Sequence, residues 1–136
     1  MKQRAALLAA ALWWGSLTAI GFLVVPMLFA HLATPAMAGQ MAARLFTAQS
    51  WVSVGCVLVL LLATTRRDAG PGASAPPGLM LLLAGLLLAL LLEYGVAPRI
   101  VARENLRLWH GVGSGMYLLQ WLCAGAFLWR LGQPRG

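Results

Sequence analysis

Long uncharged apolar blocks, separated by short polar tethers, dominate this chain. Residues 5–30 carry no charged side chain; wound as a helix they reach about 39 Å, enough to cross a hydrocarbon core of about 30 Å with some tilt. Residues 45–65 form a second block, ended by Arg66, Arg67 and Asp68 and then by residues 69–78, whose prolines and glycines do not let a helix continue. Residues 79–97, almost pure leucine as far as Leu92, form a third block, and residues 108–129 a fourth that closes with Arg130 and Arg135. The pattern predicts one all-α transmembrane domain over residues 1–136. It is an integral membrane four-helix bundle of two helical hairpins with amphipathic outer connectors and a flexible loop at 66–78. Lys2 and Arg4 ahead of the first block and Ala36-Met37-Ala38 behind it imitate a secretory signal, but the apolar run is too long for one, and an uncleaved helix is expected.

Composition agrees with lipid as the solvent: 61% of the 136 residues are hydrophobic, 10% are charged, and the mean hydropathy is +0.82. A net charge of +7 would suggest nucleic acid as the partner of a soluble domain. Here the basic residues sit in the tethers, where they act as topology signals and headgroup contacts, so the bilayer is the expected partner and nucleic acid is not. Lys2, Arg4, Arg66, Arg67, Arg130 and Arg135 fall on one side, and the smaller set Arg44, Arg99, Arg103 and Arg107 on the other. Both termini are therefore expected in the cytoplasm. Arg99, Arg103 and Arg107 are spaced four apart and would form one helical stripe facing the headgroups, or an anion site, with Ile100, Val101 and Leu106 toward the membrane. Cys56 and Cys123 lie within apolar blocks and read as packing residues.

A weak internal repeat lays Pro35 on Pro98, Arg44 on Arg107, Leu45 on Leu108 and Phe46 on Trp109. If the chain is duplicated, its two hairpins are parallel repeats. Ionisable groups inside a span are costly and therefore functional candidates. Glu93 and His110 each stand about one turn inside the same end of adjacent spans, where a carboxylate and an imidazole could meet as a ligand site or proton relay, with His31 nearby and Arg107 setting the local field. The bland alternative has Glu93 snorkelling to the interface and His110 bonded to a backbone carbonyl. His31 and His110 with Met27 are the residues a soft metal would use if any is bound, with Met37, Met41 and Met116 around them. His31 and His110 could in principle also ligate a haem. No tight ligand spacing accompanies them, and no cofactor is expected. Pro26 should kink the first helix or steer it into the connector. Gly111 and Gly115, broadened by Ser114, would let another helix approach closely, within the chain or from a second copy. No paired carboxylates, catalytic triad or phosphate-binding loop points to an enzyme.

Trp14-Gly15 through Gly21 to Pro26 and Phe29 resembles the opening helix of a group of small four-span bacterial membrane proteins of unknown function, related to the eukaryotic transmembrane protein 205 group. The stretch from Ala38-Gly39 to Leu45-Phe46, and Trp109-His110-Gly111 with Ser114, extend the likeness over most of the chain apart from the loop between Arg66 and Gly78. The resemblance implies a four-helix protein of the bacterial inner membrane with no established activity. Its eukaryotic relatives are linked to tolerance of metal-containing drugs, which colours the metal reading. In that pattern an Asn follows the last helix's His by about two turns; Tyr117 stands there instead, so a polar role at that position does not carry over. The leading expectation is a non-enzymatic accessory subunit whose helices recognise another membrane protein or a second copy of the chain. The alternative is a small transporter or binding protein for a metal ion or small solute, using the layer of His31, Glu93 and His110.

Overall fold

A backbone surrounded by lipid has to satisfy its own hydrogen bonds, so each apolar block closes into a helix. The computed structural model describes residues 1–65, 70, 72 and 74–134, which form four long helices. They are α1 (Lys2–His31), α2 (Pro35–Thr64), α3 (Leu79–Val101) and α4 (Leu106–Gly132). Arg66, Arg67, Asp68 and Arg135, together with part of the expected flexible loop, lie outside the described residues, and with them part of the charge tally behind the orientation. α1 packs on α2 and α4, and α3 also packs on α2 and α4, so chain neighbours are spatial neighbours and α4 closes the ring against α1. The turns at 32–34 and 102–105 share one end of the bundle, here the turn end; the termini and the connection between α2 and α3 share the other.

At the turn end the helices outrun the apolar blocks. The Thr34 hydroxyl accepts from Met37 N at 3.2 Å and Pro35 occupies the first turn, so α2 begins ten residues before the uncharged stretch. The segment 35–44, read as a connector, forms the first turns of α2. The second connector is divided differently: α3 runs on to Val101, Arg103 turns left-handed at φ 57°, and Glu104 N reaches Arg99 O at 3.0 Å, the long backbone bond of a Schellman stop. Asn105, at φ 28°, then caps α4 by accepting from Leu108 N. Arg99, Arg103 and Arg107 therefore do not share a helix, and the stripe expected from their spacing is broken at the turn. Pro35 opens α2 whereas Pro98 lies within the last turns of α3, so the Pro-to-aromatic resemblance between the connectors is not one structural element used twice.

Polarity is inverted relative to a soluble bundle. Leu62 and Met80 are 75% and 76% exposed, while Ser53, Gln49 and Gln120 are 0%, 2% and 2% exposed. Only a hydrocarbon solvent makes that arrangement favourable, since Gln49, Ser53 and Gln120 bond one another inside and the leucines face lipid. Toward the termini end the interior is apolar: Trp13, Leu17, Val57, Leu60, Leu82 and Phe127 are buried together. A Cβ on Gly85 of α3 would lie 2.4 Å from the Trp13 ring, and one on Gly125 of α4 2.8 Å from Trp14 Nε1. Bulky rings from α1 thus seat on glycines of its neighbours. Gly111 and Gly115, by contrast, have nothing within 4 Å of a Cβ and point out of the bundle; Gly113, against Val96, is the glycine of that stretch that packs inside. Cys56 is buried and Cys123 half-buried, both as free thiols.

Candidate functional site

Two prolines shape the interior of the turn end. Pro26 has no N–H to give to the carbonyl four residues earlier, and its ring crowds that carbonyl. The ladder responds by widening: Val25 N bonds Ile20 O, five residues back, and Ala19–Val24 form a π-helical turn. Pro98 is preceded by the same device, with Ala97 N on Leu92 O and a π-helical turn over Leu92–Val96. Each widened turn contributes to the wall of the interior space, with Gly21 and Phe22 from the first and Leu92, Glu93 and Val96 from the second.

Between the bulges lies a cavity of about 550 Å³, within the range of small-molecule sites. From α1 it takes Gly21, Phe22, Val25 and Phe29; from α2, Ala42, Phe46, Thr47, Gln49 and Ser50; from α3, Leu92, Glu93, Val96 and Ile100; from α4, His110, Ser114, Tyr117 and Gln120. Most of this wall is apolar, with polar groups converging from three helices. Thr47 Oγ1 donates to Glu93 Oε1 at 3.1 Å, tying α2 to α3 across the cavity. At its floor Gln49 Nε2 donates to Ser16 Oγ at 3.0 Å, and Gln120 Nε2 to Ser53 Oγ at 2.9 Å. Among the described residues Gln49 Oε1 has no partner. Tyr117 OH donates to Leu17 O at 2.8 Å, its ring lying over Gly21 and edge-on to Phe46 with centroids 5.4 Å apart. Below this floor the Trp13, Leu17, Leu60 and Phe127 core closes the bundle.

The structure brings two of the expected site residues together as wall residues, Glu93 and His110, although the hydrogen bond to Glu93 comes from Thr47. His31 is exposed, its Nδ1 3.0 Å from Met27 O one turn earlier, and stands outside the cavity wall. Met27 and Arg107 are exposed and outside it as well. Arg99 lies over the Trp109 ring at 4.7 Å and bonds Gly95 O. Among the described residues no three His, Cys, Asp or Glu side chains gather to hold a metal ion, so the soft-metal reading of His31, His110 and Met27 gains no support from their placement. Sequence reasoning missed Thr47, Gln49 and Gln120, and Tyr117, where no polar role was expected to carry over, lines the cavity with its hydroxyl on Leu17 O. The signal was available: two glutamines and their serine and threonine neighbours within uncharged blocks have to face inward.

A family model covers residues 8–108 of the chain, which includes Thr47, Gln49, Glu93 and both π-helical turns and stops just before His110. The chain belongs to the family described as Domain of unknown function (DUF4149). No curated protein and no solved structure matches it. Membership in DUF4149 accords with a small membrane protein of four spanning helices. The α2 and α3 sides of the cavity lie within the DUF4149 match, whereas almost all of α4, with Ser114, Tyr117 and Gln120, lies beyond it.

Proposed function

We propose that this protein is a non-enzymatic binding protein of the bacterial inner membrane that takes up a small, largely apolar molecule from the turn end of the bundle. The observation that carries this reading is the cavity of about 550 Å³ with a hydrogen-bonded polar floor and a sealed apolar core beneath it. A binding site needs an apolar wall, a few convergent polar groups and a preformed shape, and both π-helical turns contribute to that shape. The sealed core favours holding a molecule over conducting one. The relationship to the eukaryotic group rests on the Trp14–Phe29 and Trp109–Ser114 stretches and adds no activity to this reading.

The test is titration of N-phenyl-1-naphthylamine, whose fluorescence rises in apolar surroundings, into the protein in lipid nanodiscs. Saturable one-to-one enhancement above empty discs is expected, and Ala42→Phe, which fills the wall, should remove it while the helices stay folded by circular dichroism. Enhancement equal to that of empty discs would overturn the reading.

A second reading, recognition of a membrane partner or a second copy, is favoured by Gly111 and Gly115, which point out of the bundle. Its test is the mass of the protein in mild detergent, where a complex that Gly111→Ile with Gly115→Ile dissociates is expected.

A further inference from the structure

We propose that the cavity selects a lipophilic ammonium: an apolar body carrying a charged nitrogen with N–H groups, which pair with the Glu93 carboxylate and Gln49 Oε1. This rests on the binding reading above and names its ligand class. The wall has an excess of acceptors. Glu93 offers a carboxylate with several lone pairs, and among the described residues the donor it engages is the hydroxyl of Thr47. Gln49 Nε2 donates to Ser16 Oγ at 3.0 Å and to Ser53 Oγ at 3.4 Å, and Ser16 Oγ in turn donates to Trp13 O at 3.0 Å. With Nε2 so engaged, Oε1, in a side chain 2% exposed at the cavity floor, has no donor among the described residues. A buried carbonyl without a donor is a costly arrangement that an N–H from a ligand would relieve.

Charge points the same way. Among the described residues no Lys or Arg side chain lines the cavity, and the other titratable groups facing it are His110, at an exposed position, and Tyr117, whose hydroxyl is committed to Leu17 O. Glu93 thus lacks a fixed counter-charge. The rings of Phe22, Phe29 and Phe46 complete an apolar surround for the ligand's body.

Three probes that share the adamantane body separate the possibilities: 1-adamantylammonium, its N,N,N-trimethyl derivative, which keeps the charge but has no N–H, and neutral 1-adamantanol. Binding is measured by equilibrium dialysis at neutral pH against the full chain in nanodiscs, with empty discs subtracted. The ammonium should bind about ten- to hundredfold tighter than either of the others, the weight of a charge-assisted hydrogen bond. Glu93→Gln should bring the ammonium down to about the level of the alcohol. Adamantanol binding as tightly as the ammonium would overturn the proposal while leaving the binding reading standing, as would equal binding of the trimethyl compound. Binding of none of the three, together with no saturable N-phenyl-1-naphthylamine signal, would remove the binding reading itself. The comparison of probes on the unaltered protein decides the matter even if Glu93→Gln does not fold.

Discussion

Arg103 carries a side chain at φ 57°, a conformation in which Cβ crowds the backbone and which glycine adopts freely. Arg103→Gly should therefore stabilise the turn by about 1 kcal/mol, read as a higher Tm of the protein in detergent. The opposite sign is expected at Gly85. A methyl group there would overlap the Trp13 ring in the tightest part of the core, so Gly85→Ala should cost about 1–3 kcal/mol. Trp13→Phe in the same chain should recover part of that loss, and the non-additivity of the two changes, measured as a double-mutant cycle, checks that the contact is direct. Neither residue reveals its situation in sequence. Arg103 reads as one member of a helical stripe because a spacing of four is helical only while the helix lasts, and it is the left-handed turn at Arg103 itself that ends it. Gly85 sits in a run of leucines and shows nothing of the indole that another helix brings to it.

At the level of the helix, the apolar blocks suffice to locate four spans, because lipid leaves the backbone no alternative to internal hydrogen bonding. They do not locate the helix ends. α2 begins at Pro35, where Thr34 supplies a cap that composition alone does not distinguish from a connector residue. Pro26 and Pro98 are legible as disturbances, but proline does not say whether a helix will kink, stop or widen; here both helices widen into π turns and continue. A π turn holds in effect one extra residue, which makes a sharp test possible. Deleting one residue from a regular helix rotates everything beyond it by about 100°. Deleting Gly95 from the Leu92–Val96 turn should instead remove the extra residue and keep both halves of α3 in register. Thermal unfolding should show the Gly95 deletion folding with a modest loss of Tm, and deletion of Leu87 from the regular part of α3 failing to fold. With its bulge gone, the Gly95 variant should also bind N-phenyl-1-naphthylamine weakly.

Across the whole molecule, the bundle divides into a half that is hollow, with polar groups set in a largely apolar wall, and a half whose interior is filled by apolar side chains. The division follows from where the residues fall. Thr47, Gln49, Ser50 and Glu93 are set toward the turn end, and Gln120 and Ser53 meet them near the middle, while Trp13, Leu17, Leu60, Leu82 and Phe127 fill the rest. Sequence places Glu93 and His110 at a common depth because antiparallel neighbours bring equivalent turns together. It does not show that they face one cavity, which depends on the rotation of each helix and on the two bulges. This asymmetry predicts access from one face of the membrane only. Ser50 lines the cavity, and its hydroxyl donates to Phe46 O of its own helix, so Ser50→Cys should leave the fold intact. In sealed vesicles of uniform orientation, a membrane-impermeant maleimide should label that cysteine from the face carrying the turn end and fail to label it from the other. Cys56, enclosed in the solid half, should resist the reagent from both faces. Saturating 1-adamantylammonium should slow the labelling of Ser50→Cys. Equal labelling from both faces would mean that water crosses the Trp13 and Leu17 core, and the molecule would then be a conduit and not a one-sided receptacle.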